Sequence, residues 1–158
     1  IFLIQALLIF LFFFWRLTFS AAPSVMPGDA AELVAASSVL GVAHSPGYPL
    51  YVLLGNFFQT LLPFGNDAYR MNLFSGVCMS LSFSVFIAFF QQKRWWIMAG
   101  MIFLGLSPIC HTLSVSSEVF GLNALFAVVL LYLGHKIISI KDNLSQKRFF
   151  LLMVFLWA

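Results

Sequence analysis

The chain has 158 residues, 62% of them apolar and 8% charged, with a mean hydropathy of +1.01. A soluble domain carries about a quarter charged residues and about half apolar ones, so this chain lacks the polar surface to cover a water-facing globule, and lipid is its expected solvent. The net charge of +3 does not mark a nucleic-acid binder, because the cations form short clusters beside apolar runs rather than a binding stripe.

A membrane-spanning helix needs about 20 mostly apolar residues. The sequence opens inside such a run, 1–19, and stops inside another that starts at 149, so it reads as the N-terminal part of a longer protein. No small-x-small cleavage site follows the first run cleanly, which favours a retained signal-anchor helix over a signal peptide. Further spans are expected at 71–90, 95–113 and 119–135. Within 71–90, Ser75, Gly76, Ser80 and Ser84 are small enough to let helix backbones approach in lipid. Cys78 and Cys110 both lie in apolar segments and read as small buried hydrophobes rather than as a disulfide or metal pair.

Residues 20–70 form the predicted first external loop. Pro27-Gly28 breaks the chain before Asp29, and DAAELVAASSVLGV then reads as a short amphipathic helix with Gly41 as its stop. His44-Ser45-Pro46-Gly47-Tyr48-Pro49 reads as a rigid turn. The stretch 47–62 is apolar but short, interrupted by Pro49 and Gly55, and it carries Asn56 and Gln59. Runs of that length are often interfacial or re-entrant. Charge decides between the topologies. If 47–62 does not span, Lys93, Arg94, Lys136, Lys141, Lys147 and Arg148, six of the eight cations, share one side, and the cytoplasm is the expected side for them. Asp29, Glu32, His44, Arg70 and Glu118 then share the opposite face. A spanning stretch would export the six cations, so the non-spanning topology is the expected one.

Few residues are equipped for chemistry. Asp29 and Glu32 are three apart, on one helix face. That spacing first suggests a capping box, with Asp29 as N-cap and Glu32 as its reciprocal partner, and it is compatible with a general base whose second acid orients it. His44 is a turn residue or a ligand, and no HxxxH-type spacing supports a protein-built metal cage. Arg70 is placed to pair with Asp67 or a lipid headgroup, or to grip a phosphate. Glu118 stands where a helix macrodipole favours an acid, yet an acid at the edge of a span is also a functional candidate.

Four stretches in order carry a family resemblance: Pro27-Gly28-Asp29-Ala30-Ala31-Glu32-Leu33, Leu40-Gly41-Val42-Ala43-His44-Ser45-Pro46-Gly47-Tyr48-Pro49-Leu50-Tyr51, Tyr69-Arg70-Met71-Asn72-Leu73, and Ser117-Glu118-Val119-Phe120-Gly121-Leu122-Asn123. They resemble a membrane family, long described only as a domain of unknown function, whose pattern runs GDSGE, LGIAHPPGYPLY, WRVNL and AEVYALN. That family includes a eukaryotic protein O-mannosyltransferase acting on plexin-type receptors, and bacterial relatives. Here Ala30-Ala31 replace Ser-Gly, Ser45 replaces the first Pro and Tyr69 stands where Trp is common; no titratable group is lost.

The resemblance implies an all-α, polytopic transmembrane helix bundle of the C-type glycosyltransferase (GT-C) kind, with membrane-parallel helices in the first external loop. It implies transfer of a sugar, mannose in the eukaryotic member, from a polyprenyl-phosphate donor to a protein or glycan hydroxyl. By position, Asp29 and Glu32 become the catalytic acids, and His44, Tyr48, Arg70 and Glu118 the substrate-binding residues. No protein-held metal is expected; a divalent cation and the lipid-phosphate sugar are the conceivable small partners. The implied setting is a multi-pass protein of a bacterial inner membrane or the endoplasmic reticulum, with its site on the non-cytoplasmic face. A transporter or flippase for a lipid-linked or small polar solute is the alternative, since segments broken by Pro and Gly also build transport sites.

Overall fold

A computed structural model describes residues 2–90, 95–139, 148 and 150. Lys93, Arg94, Lys141, Lys147 and nearly all of the expected span from 149 lie outside the described residues. Every regular element among the described residues is an α-helix, as expected for an all-α bundle: α1 Phe2–Ser20, α2 Ala30–Val39, α3 Pro49–Leu61, α4 Asp67–Phe90, α5 Trp95–Leu106, α6 Pro108–Val115 and α7 Phe120–Ser139. Three of them, α1, α4 and α7, are long and apolar enough to cross a membrane, and α5 with α6 makes a fourth if that bent pair counts as one span.

Local chemistry sets the helix ends. At the end of α1 the Ser20 hydroxyl donates to the Arg16 carbonyl, occupying one of the carbonyls a last helical turn leaves open. The helix α4 starts a turn before the apolar run does, because Asn66 caps it: its Oδ1 accepts from the Tyr69 N–H at 2.8 Å. α5 and α6 meet at 64°. The expected continuous span over 95–113 is therefore broken, for a physical reason: Pro108 has no N–H to continue the helix, and Ser107 Oγ accepts from the Cys110 N–H at 3.2 Å, capping a new one.

The two short helices also differ from expectation in their ends. α2 is stopped by Leu40 in the left-handed conformation (φ 53°), with the Gly41 N–H closing back on the Ala36 carbonyl at 2.8 Å. Gly41, the expected stop, is one residue beyond the left-handed position. α3 starts from Tyr48, also left-handed (φ 44°), with Pro49 in its first turn. Its 13 residues reach only about 20 Å at 1.5 Å per residue, short of a hydrocarbon core of about 30 Å.

The bundle is organised around α4. Its first half packs against α2, α3 and the start of α7 in one apolar cluster that includes Leu33, Tyr51, Met71, Phe74 and Leu122. Its second half packs against α1 and α5 in another, around Phe13, Leu17, Phe83 and Ile87. Small residues permit the approach. A Cβ added at Gly121 would lie 2.6 Å from the Ser75 carbonyl oxygen, so α7 touches the α4 backbone there. Ser84 of α4 donates to the Ala6 carbonyl of α1 at 2.9 Å. At the other end of α7, Phe89 and Tyr132 stack with ring centroids 3.7 Å apart. α1 and α6 thus end, and α4 and α7 begin, at the same mouth of the bundle.

Because backbone lies against backbone at Gly121, Gly121→Ala in the full-length protein is expected to cost about 1–3 kcal/mol as overpacking. A lowered thermal unfolding midpoint in detergent checks this, with Gly134→Ala, whose Cβ meets nothing within 4 Å, unchanged.

Candidate functional site

The chain segments that close the mouth carry every candidate catalytic or substrate-binding residue named from the sequence. Asp29 ends the α1–α2 linker just after Gly28, whose φ of +101° only glycine adopts easily. Glu32 sits on the first turn of α2, and His44 on the turn before α3. Glu118 lies in the short connection from α6 to α7, two residues ahead of the helix.

His44 is the meeting point. Its Nδ1–H donates to Glu32 Oε2 at 2.9 Å, and its backbone N–H donates to Glu32 Oε1. Its Nε2 faces Asp29 Oδ2 at 3.7 Å. The Tyr48 ring packs edge-on against the imidazole, with centroids 5.5 Å apart. Glu118 completes the group from the other side: a Cβ placed on Gly28 would lie 3.5 Å from Glu118 Oε1. The capping box expected from the Asp29–Glu32 spacing does not form. Asp29 occupies the N-cap position with helical dihedrals and no side-chain cap hydrogen bond, because Glu32 is engaged by His44 instead.

Electrostatics separate the two glutamates. The His44 side chain, then its backbone N–H, hold Glu32 below the usual carboxylate range. Glu118 is half-buried, and burial, then the charge of Asp29, push it above that range, partly offset by His44. Among the described residues no group of three His, Cys, Asp or Glu side chains converges as metal ligands do.

Arg70 stands apart from this group. Its Nε donates to the Phe64 carbonyl at 3.0 Å, Nη1 donates to the Gln59 carbonyl at 3.2 Å, and Asp67 lies 3.7 Å away. The guanidinium ties the α3–α4 turn together, and the pairing with Asp67 read from the sequence is present.

Sequence reasoning missed the residues that set the acids in register. Asn72, 1% exposed on the second turn of α4, donates through Nδ2 to the Ala22 carbonyl at 2.8 Å and the Ser24 carbonyl at 3.1 Å, while its Oδ1 accepts from the buried Ser117 hydroxyl. One amide therefore joins the linker leading to Asp29 with the connection leading to Glu118. Ser75 donates to the Glu118 carbonyl at 3.3 Å, and the Tyr51 hydroxyl, kept neutral by burial, lies 3.5 Å from Ser75 Oγ. The available signal was a buried-type amide inside an apolar run, since polar groups in spans are rarely idle.

Fold and site define an all-α, multi-span membrane protein with an acidic cluster built around one imidazole at a single mouth of the bundle. Residues 29–97 match the family model described as the protein O-mannosyl-transferase TMEM260 N-terminal domain. The protein O-mannosyl-transferase TMEM260 of Mus musculus is 40% identical over 120 residues, which cover 73% of this chain and 17% of the relative. The tmem260 protein O-mannosyl-transferase of Dictyostelium discoideum is 32% identical over 118 residues, covering 71% and 14%. The chain thus spans a small part of the length of the curated relatives it matches. No solved structure matches it.

The opposed shifts of the glutamates give opposite pH dependences. The Glu32 contribution to stability is present above the ordinary carboxylate range and is lost as pH falls through its lowered value; that of Glu118 is present below the range and is lost as pH rises through its raised value. In an infrared titration of carboxyl bands, Glu32→Gln is expected to remove an early, low-pH transition and Glu118→Gln a late one. The same band vanishing in both variants would contradict the assignment.

Proposed function

We propose that the chain is the N-terminal part of an integral-membrane glycosyltransferase that moves mannose from a polyprenyl-phosphate donor to an acceptor hydroxyl such as a protein Ser or Thr. The observation that carries this reading is the convergence of Asp29 and Glu32 on His44, with Glu118 beside them, at the mouth of an apolar bundle. A lipid-linked donor keeps its tail in the bilayer and its sugar-phosphate at the surface, so its chemistry belongs at such a mouth.

In this reading Asp29 accepts the proton of the acceptor hydroxyl as that oxygen bonds to the anomeric carbon. The bond from that carbon to the phosphate oxygen breaks on the opposite face, polyprenyl phosphate leaves, and the configuration inverts. Asp29 suits the role because its carboxylate is not tied up in a cap, while Glu32 is consumed in fixing His44. His44 Nε2 lies 3.7 Å from Asp29 Oδ2, beyond direct hydrogen-bond reach, so the imidazole fixes the wall beside Asp29 rather than gripping it, and Tyr48 packs on the ring and holds its plane. Glu118, whose carboxyl is raised by burial and by the charge of Asp29, lies beside this group, where it can hydrogen-bond a sugar hydroxyl. A positioned base contributes on the order of 10²–10⁴-fold.

The loop over 20–70 and the site then lie on the non-cytoplasmic side, with α3 along the leaflet. Its exposed stripe supports that placement: Leu50, Leu53, Phe57 and Leu61 recur at helical spacing, while Tyr51, Val52, Gly55 and Gln59 face the protein. A solute carrier would need its ionisable groups near mid-bilayer, and these acids sit at the ends of helices instead.

In the full-length protein, Asp29→Asn is expected to lower mannose transfer by about 10²–10⁴-fold with expression unchanged; normal transfer by that variant would remove Asp29 from the mechanism. Cysteines introduced at positions 29 and 118 are expected to react with an impermeant reagent from the outer or lumenal side, and one at 93 only from the cytoplasm. Labelling of position 93 from outside would overturn the topology.

A further inference from the structure

The Glu32 carboxyl accepts two hydrogens from one residue, the Nδ1–H and the backbone N–H of His44, and these hold it ionised, below the usual carboxylate range. An ionised carboxylate has nothing to donate, so the ring hydrogen sits on Nδ1 and Nε2 presents a bare lone pair. That lone pair faces Asp29 Oδ2 at 3.7 Å. A carboxylate and an unprotonated ring nitrogen have no hydrogen to share, and they stand about 1 Å wider apart than a hydrogen bond would hold them. The pair is one proton short of a bond.

The surroundings keep that lone pair aimed. Two bonds to one glutamate leave the imidazole no freedom to turn over. The Tyr48 ring packs edge-on against it, with centroids 5.5 Å apart. Glu118 approaches the group on the side of Gly28. Arg70 is committed to two carbonyls and to Asp67 instead.

Resting on the transfer reading above, we propose that His44 acts through Asp29, taking over at Nε2 the proton that Asp29 removes from the acceptor. Turnover requires such an exit. As the acceptor O–H breaks and its oxygen bonds to the anomeric carbon, the electron pair of the breaking carbon–oxygen bond leaves with polyprenyl phosphate, and the proton stays on Asp29. A protonated Asp29 is no base for the next acceptor. It does hold the missing hydrogen, so Oδ2–H closes the gap to Nε2 and passes the proton over. Imidazole is in general a stronger base than a carboxylate, so the hand-over draws the deprotonation forward. The imidazolium that forms is matched by the Glu32 carboxylate, 2.9 Å from Nδ1. The ring, 38% exposed, gives the proton to water once the products leave. His44 is thus a positioning residue at rest and the proton's way out in turnover.

The test uses the full-length protein in nanodiscs. Nitrogen NMR of isotope-labelled histidine, with His44→Asn identifying the resonance, is expected to show hydrogen on Nδ1 and a bare Nε2 near neutral pH. The opposite tautomer overturns the relay whether or not mannose is transferred. In the transfer assay, His44→Ala is expected to lower kcat by on the order of 10²-fold, the low end for a positioned proton carrier, with KM for the donor changed much less. His44→Asn, which keeps a donor for Glu32, is expected to stay as slow, because nothing basic then faces Asp29. Free imidazole is expected to restore part of the His44→Ala rate, and triazole, a ring of the same size and much weaker basicity, to restore none. A wild-type rate in His44→Asn, or rescue by triazole equal to that by imidazole, overturns the relay and leaves the transfer reading standing. Wild type that shows the expected tautomer and transfers no mannose sinks the transfer reading, a failure the NMR tells apart from the relay's own.

Discussion

Hydrocarbon offers no partner to a polar group, and this constraint shapes everything else in the chain. The serines of the spans meet it internally. Ser80 donates to Gly76, Ser82 to Met79 and Ser114 to Cys110, each within its own helix, and Ser84 uses the Ala6 carbonyl of the neighbouring one. With these serines satisfied inside the spans, the described acids gather at one mouth; Gln5 Oε1 and Arg16 Nη1 of α1 are the buried span atoms left without a partner among the described residues. Asn72 marks the boundary between the regimes: it belongs to a span by position, yet all its partners are loop atoms.

That all regular structure would be helical was legible from the apolar runs. What local reading could not resolve falls into two kinds. The first is a missing donor inside an apolar run. Counting hydrophobic residues over 95–113 is insensitive to one absent N–H, so the break that Pro108 imposes, although written in the sequence, was read as continuous helix. The second is competition from a distant group. Asp29 and Glu32 have capping-box spacing, but Glu32 finds a stronger partner in His44, 12 residues on, and the local motif loses. The α2 stop shows a milder version: Gly41 was the natural left-handed residue, yet Leu40 takes that conformation, where a side chain costs about 1–2 kcal/mol.

The candidate residues were readable as types at the right end of the chain's elements; their division of labour was not. Two acids on one helix face look equivalent in sequence. Only the fold shows that one is spent on holding the imidazole while the other stays free of a cap. Likewise Arg70 and Arg16 are equally bare as letters, and the carbonyls of Phe64 and Gln59 decide that Arg70 is structural.

The 64° bend at Ser107 also acts as a lever arm. The eight residues of α6 make an arm of about 12 Å, so straightening it onto the α5 axis would sweep its tip sideways by roughly 10 Å. The tip is Val115, whose carbonyl meets the Ala22 N–H and whose successors are Ser117 and Glu118. A single imino acid on the outer face of the bundle, about 12 Å from the mouth, therefore governs whether the later glutamate arrives there at all, and the grouping of side chains at the mouth is set in part by a residue that touches none of them.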